Sequence, residues 1–161
     1  MSATLSQAGV KLQKEFDHLG PTMKSLESSA GRSIVYLDEG EEDWTPVVFV
    51  GGSGTSGRVF ALLEFLRETR QNLKLRFIGV ERNGFGTTAF DDSLDYADYA
   101  GEVETLLDHL GIDQFSLFAI SGGGPYAAVL ASRAADRLLS VHLAAALTYV
   151  FGSWGNDGAA V

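Results

Sequence analysis

Residues 115–131, F-S-L-F-A-I-S-G-G-G-P-Y-A-A-V-L-A, constrain the fold more than any other stretch of the chain. An apolar run of strand length ends in one serine. Three glycines then clear the turn of side chains, and an alanine-rich helical pattern follows. A helix can leave a buried strand this abruptly only where the two backbones come close, which small residues around the turn permit. Pro125 suits the first helical turn, where its missing N–H costs nothing. Two chemistries fit the lone hydroxyl. Ser121 is either a nucleophile held up at a sharp turn, or the glycines free backbone N–H groups to close around an anion.

The rest of the chain places this turn in a repeating context. Leu5, Leu12, Phe16 and Leu19 form a loose helical stripe that stops at Gly20-Pro21, and a polar linker runs on to Gly31. From there apolar runs alternate with helical patterns. Strands are predicted at 33–37, 46–50, 75–80, 115–120 and 138–147, and helices at 58–69, 95–110 and 124–135. In the second helix Tyr99, Val103, Leu106, Leu107 and Leu110 share one face. Near-continuous apolar strands alternating with helices indicate an α/β fold, with a parallel sheet covered on both faces. At 161 residues the chain has room for one such domain. Its expected division is an N-terminal helical extension and linker over 1–30 and the α/β domain over 31–161.

Charge and composition exclude several functions. A formal charge of −9 leaves no basic surface for nucleic acid. Without cysteine there is neither a disulfide framework nor a thiolate metal site. The N-terminus lacks the basic start and apolar core of a signal peptide. The longest apolar stretch, 141–151, is interrupted by His142 and Thr148 and is too short to span a bilayer. A cytoplasmic protein without metal or cofactor, acting on a small molecule rather than on nucleic acid or a membrane, is the expectation.

Two glycine loops compete for the site. In V-G-G-S-G-T-S-G (50–57), Gly52, Gly54 and Gly57 match G-x-G-x-x-G between a strand and a helix. Glu81, at the end of the next strand, stands where a ribose-binding acid would be. That is the dinucleotide reading. The second loop, Ala119-Ile120-Ser121-Gly122-Gly123, is a variant of the G-x-S-x-G nucleophile elbow, with alanine meeting the need for a small residue two before the serine.

The second reading has wider support. Residues 31–40 (G-R-S-I-V-Y-L-D-E-G), 47–52 (V-V-F-V-G-G) and 81–86 (E-R-N-G-F-G) resemble, in order, the opening hairpin, the oxyanion strand and turn, and the D-R-x-G-x-G loop of the α/β-hydrolase superfamily. The resemblance runs from Gly31 to Leu147. It departs from the family pattern at Gly51, which replaces a histidine, at Gly54, which stands in for a proline, and at Ala119. It implies a serine hydrolase acting on an ester or related small molecule, with Ser121 as nucleophile. The N–H groups of Ser53 and Gly122 would form the oxyanion hole, Gly52 would face the substrate, and the positive end of the helix after Ser121 would point at the same spot.

In the same family the acid and then the histidine follow the serine. Here only His142 follows it, inside an apolar strand. His109 lies on the exposed side of a helix and His18 in the N-terminal stripe. Asp157 is a weak candidate acid in a glycine-rich tail. The resemblance therefore implies an incomplete domain: a three-layer, mostly parallel sheet in the family's order 2-4-3-5-6, lacking the cap and the last strands. Its last strand would be an unpaired edge, open to a second chain or to a copy of itself. The alternatives to a truncated or split hydrolase are a noncatalytic module of the same fold and the dinucleotide domain.

Overall fold

The five apolar runs of the sequence and one more polar segment become neighbouring strands of one six-stranded sheet, ordered β1-β2-β4-β3-β5-β6. A computed structural model describes residues 23–28 and 31–147. The strands are β1 (Met23–Glu27), β2 (Ser33–Glu39), β3 (Thr45–Val50), β4 (Leu75–Val80), β5 (Phe115–Ile120) and β6 (Leu138–Ala144). The helices are α1 (Arg67–Asn72), α2 (Tyr96–His109) and α3 (Gly124–Arg133). Strands β4, β3, β5 and β6 run parallel, because each consecutive pair is joined by a helical crossover. Strands β1 and β2 add an antiparallel margin beside β4.

Side-chain alternation along the central strands builds a core on each face. Val48, Val50, Ile78, Leu117 and Ala119 pack against Val103, Leu106 and Leu107 of α2 and Ala127 and Leu130 of α3. On the other face Leu37, Phe49 and Phe60 form a smaller cluster, joined by Phe77 and Phe118. The result is three layers, as the sequence pattern requires. Helix α2 begins with a capping box, in which Asp95 accepts from the Ala97 and Asp98 N–H groups while Asp98 accepts from that of Asp95.

Two sequence expectations change. The single helix at 58–69 is instead a 3-10 segment, Gly57–Leu66, that runs into the short α1. Three residues per turn stack Phe60 and Leu63 along one side, where both reach the cluster around Phe49. The supposed linker contains β1, whose Met23 and Leu26 face inward while Lys24 pairs with Asp38 at 3.1 Å. M-K-S-L-E has too few apolar residues to announce a strand, and its pairing with β2 supplies the order. The predicted N-terminal helix, His18, Asp157 and the tail lie outside the described residues.

The margin formed by β2 and β4 is closed by a buried ion pair. Arg76, 5% exposed, donates from Nε and Nη2 to the two carboxylate oxygens of Asp38, at 2.7 and 3.0 Å. Burial pushes the Asp38 carboxyl up, but the hydrogen bonds from Arg76 and Lys24 outweigh it and hold the group below its usual value. Replacing Arg76 by Ala leaves a half-buried carboxylate with only the exposed Lys24 beside it. We expect a loss of about 3 kcal/mol in urea denaturation at neutral pH. A depressed carboxyl contributes stability that is present above its unfolded value and lost as pH falls through its folded one. The wild type should therefore lose stability on acidification more steeply than Arg76→Ala.

Candidate active site

The crossover after β3 runs over one face of the sheet and the crossover after β5 over the other, so a crevice opens between the carboxyl ends of these adjacent strands. Such a switch point is where open α/β sheets hold their ligands. Both glycine loops of the sequence end there. The parallel register pairs Val50 with Ala119. Continued by two residues, it sets Gly52 beside Ser121, and a Cβ on Gly52 would lie 3.2 Å from Ser121 Cβ and 3.6 Å from its Oγ.

Ser121 has φ = +49°, a left-handed conformation uncommon for a residue with a side chain, and it is solvent-exposed. Its strain is held by the surroundings. The backbone carbonyl of Ser121 accepts a hydrogen bond from the Leu147 N–H at 2.8 Å. Ala119, two residues before, is fully buried. Two residues after, a Cβ on Gly123 would stand 2.5 Å from the Val50 carbonyl oxygen and 2.8 Å from that of Gly51. Gly122 is equally constrained, because a Cβ there would run into Ser53 Oγ and come within 2.9 Å of Ser53 N. Ser53, Gly52, Ser121 and Gly122 are thus brought together, with the N–H-bearing backbones of Ser53 and Gly122 side by side. Pro125 falls in the first turn of α3, as its ring requires.

The residues Glu81 and Arg82 hold the loop after β3 in place. Arg82, 6% exposed, donates from Nη2 to the carbonyl oxygens of Gly52 and Thr55, at 2.5 and 2.8 Å. Its guanidinium stacks on Phe85 at 4.8 Å and Tyr126 at 5.2 Å, which binds the loop to the start of α3. Thr55 Oγ1 also donates to the Gly52 carbonyl, at 2.7 Å. Glu81, 3% exposed, accepts from the Gly57 N–H at 2.8 Å. Burial pushes its carboxyl up, opposed by that hydrogen bond and by the charge of Arg82. These anchoring roles were not read from the sequence. The signal was there in two ionisable residues directly following an apolar strand, but their partners lie 24 to 30 residues away along the chain.

The same contacts remove the basis of the dinucleotide reading. The Gly57 N–H, at the start of the helical segment where a pyrophosphate would sit, already serves a protein carboxylate. That carboxylate is the very acid proposed for the ribose, and it is buried inside the loop.

The histidines stay apart from Ser121. His142 lies on β6 opposite Phe118, three residues short of the serine's level, or about 10 Å along the strand. It is exposed on this strand at the edge of the described sheet, and its Nε2 is 2.9 Å from Ser140 Oγ. His109 ends α2 in solvent. Among the described residues, no histidine or carboxylate is hydrogen-bonded to the Ser121 hydroxyl. None of them forms a cluster able to hold a metal ion, and no helix among them is long and apolar enough to cross a membrane.

Comparison with known proteins agrees with this fold. A family model described as the alpha/beta hydrolase fold matches residues 45–157. The chain belongs to the alpha/beta hydrolase fold family. Among solved structures it is similar to an alpha/beta hydrolase fold protein from Nakamurella multipartita, at 27% identity and a TM-score of 0.67, over 86% of this chain and 46% of that one. It is also similar in fold to an epoxide hydrolase from Vigna radiata (18%, TM-score 0.64, 77% of this chain and 39% of that one). A third likeness is to a structure from Nitrososphaera gargenis, from work on carboxylesterases (20%, TM-score 0.68, 80% and 47%). The chain thus spans less than half the length of these proteins. No curated protein matches it.

The elbow makes a direct prediction for stability. A left-handed φ costs a residue with a Cβ roughly 1 kcal/mol and costs glycine almost nothing. Ser121→Gly should accordingly be more stable than Ser121→Ala by about 1 kcal/mol in urea denaturation. Gly123→Ala, which drives a methyl into two backbone carbonyls, should lose about 3 kcal/mol. An equal effect of Gly and Ala at position 121 would mean that the turn is not held left-handed.

Proposed function

We propose that the chain carries the nucleophile half of a serine hydrolase acting on an ester or related small-molecule substrate. Ser121 is the nucleophile, the N–H groups of Ser53 and Gly122 receive the oxyanion, and Gly52 forms the wall beside the attacked carbon. The observation that carries this reading is the contact of the two loops: Gly52 against Ser121 and Ser53 against Gly122. Attack by Ser121 Oγ on an acyl carbon moves the carbonyl electrons onto oxygen, where preorganised N–H donors stabilise the charge. The Ser121 proton must pass to a general base and then to the leaving group. We assign that base to a histidine that is not one of these 161 residues, since His142 and His109 lie away from the hydroxyl and His18 precedes the serine, whereas the base of this fold follows it.

The exposed side chains of β6 fit the same reading. Leu139, Val141 and Leu143 are each about half exposed along this strand. In our proposal further hydrolase sheet, from the same or another chain, or from a second copy, pairs with it. The lack of a base among the described residues also favours a second reading, a noncatalytic module that keeps the elbow.

Losing the base of a serine triad costs on the order of 10⁶ in kcat, while binding and the oxyanion hole retain roughly 10³ to 10⁴ over water. Hydrolysis of p-nitrophenyl acetate by the 161-residue chain should therefore stay near background and change little in Ser121→Ala. A fluorophosphonate should still label the chain slowly, faster when imidazole is added as an external base, with peptide mapping placing the label on Ser121. No labelling with imidazole present would favour the noncatalytic module. Brisk ester hydrolysis abolished by His142→Ala would overturn the assignment of the base.

A further inference from the structure

Away from the elbow, a cavity of about 410 Å³ opens between the loop after β4, the start of α2 and Tyr126 of α3. Its size suits a small organic molecule. Neither Ser121 nor the loop after β3 lines it, so it is not the crevice described above.

Aromatic side chains dominate its walls: Phe85, Phe90, Tyr96, Tyr99 and Tyr126. Their arrangement is informative. The Tyr126 ring stands at 83° to Tyr96, with centroids 4.6 Å apart, and at 76° to Tyr99, with centroids 4.9 Å apart. Parallel rings make a slot that accepts a flat ligand between them. Near-perpendicular rings make a corner, where a compact, roughly spherical group meets aromatic surface from more than one side. The negative ring faces favour a cation in such a place.

The charged residues of the cavity favour the same sign. Three carboxylates, Asp95, Asp98 and Glu102, stand against two guanidiniums, Arg32 in the wall and Arg82 stacked behind Phe85 and Tyr126, and Asp95 and Asp98 also accept N–H groups at the start of α2. Arg32 Nε donates to Glu102 Oε1 at 2.6 Å, a single pair that leaves the balance negative. Asp98 and Glu102 are four residues apart on one helix, a spacing at which like charges repel and an added cation relieves the repulsion. Arg82 already occupies one face each of Phe85 and Tyr126, and its Nη2 is committed to the Gly52 and Thr55 carbonyls, so a ligand cation is left the other faces of the corner and the carboxylate side of the cavity.

We propose that this cavity is a binding site for a quaternary ammonium ion carrying an aromatic or short alkyl substituent. The methylated nitrogen sits at the tyrosine corner, within reach of the carboxylate charges. The substituent lies toward Phe90, which is 75% exposed at the mouth. A quaternary ion donates no classical hydrogen bond, so ring faces and diffuse negative charge recognise it better than a single carboxylate does. The proposal does not depend on the role of Ser121.

Calorimetry with benzyltrimethylammonium, benzyl alcohol and benzoate tests it on the intact chain. The cation should bind with a Kd of about 1 mM or tighter, and the neutral and anionic compounds at least about tenfold more weakly. Glu102→Gln, which keeps shape and removes charge, and Tyr126→Leu, which removes one wall, should each weaken the cation by about tenfold. If Tyr126→Leu fails to fold, the Glu102→Gln result stands alone. Benzoate binding as tightly as the cation would assign the cavity to Arg32 and Arg82 instead. Absence of heat with the cation at about 10 mM, or binding unchanged in Glu102→Gln, would also overturn the proposal.

Discussion

The close approach of α3 to the end of β3 is the constraint on which the candidate site depends. Gly123 sits against the Val50 and Gly51 carbonyls at distances no side chain tolerates. That contact sets the start of α3 near the sheet axis and leaves Ser121 as the residue that turns the chain, with its left-handed φ. Gly122 makes a second approach of the same kind, to Ser53. Two loops from adjacent parallel strands thereby meet at backbone distance, which is what a pair of N–H donors beside a hydroxyl needs. A larger residue at 122 or 123 would separate them whatever the rest of the chain did.

Among the described residues, two of the three buried charged side chains hold backbone geometry. Arg82 and Glu81 are buried, yet neither is positioned to act on a ligand in the crevice, because each satisfies main-chain groups of the loop after β3. Unpaired carbonyls and N–H groups in a glycine-rich loop would carry a desolvation cost, and the two side chains supply their partners. Arg82 links two regions. It touches the loop beside Ser121 with its N–H groups and the aromatic cavity with its flat faces, so it lies between the crevice and the cavity assigned to an ammonium ion. The sheet margin is handled in the same economical way, with Arg76 and Asp38 pairing β4 to β2.

Much of this was legible in the sequence, and the reasons are local. Strands β4 and β5 appear at the residues expected, 75–80 and 115–120, because short apolar runs bounded by turns bury on both faces. The face of α2 was readable from its period, with Tyr99, Val103, Leu106 and Leu107 all buried as its spacing requires. The serine between a strand and three glycines announced a strained turn. The strand order 2-4-3-5-6 followed from resemblance and holds, with β1 added outside it.

Other features were settled only by tertiary contacts. β1 exists because β2 offers it an edge to pair with, since M-K-S-L-E has little strand character of its own. The 3-10 winding of 57–66 reflects where Phe60 and Leu63 must land on Phe49. By position alone Glu81 also fits a ribose-binding acid, and only its hydrogen bond from the Gly57 N–H assigns it to the loop. The sequence by itself determined periodicity, turn chemistry and the absence of side chains where backbones had to meet, because these are properties of neighbouring residues. Tertiary structure alone decided which loop N–H groups are already occupied, which charges pair, and that Tyr96, Tyr99 and Tyr126 form a corner. Each of those depends on distances between residues far apart in the chain, and no local pattern encodes them.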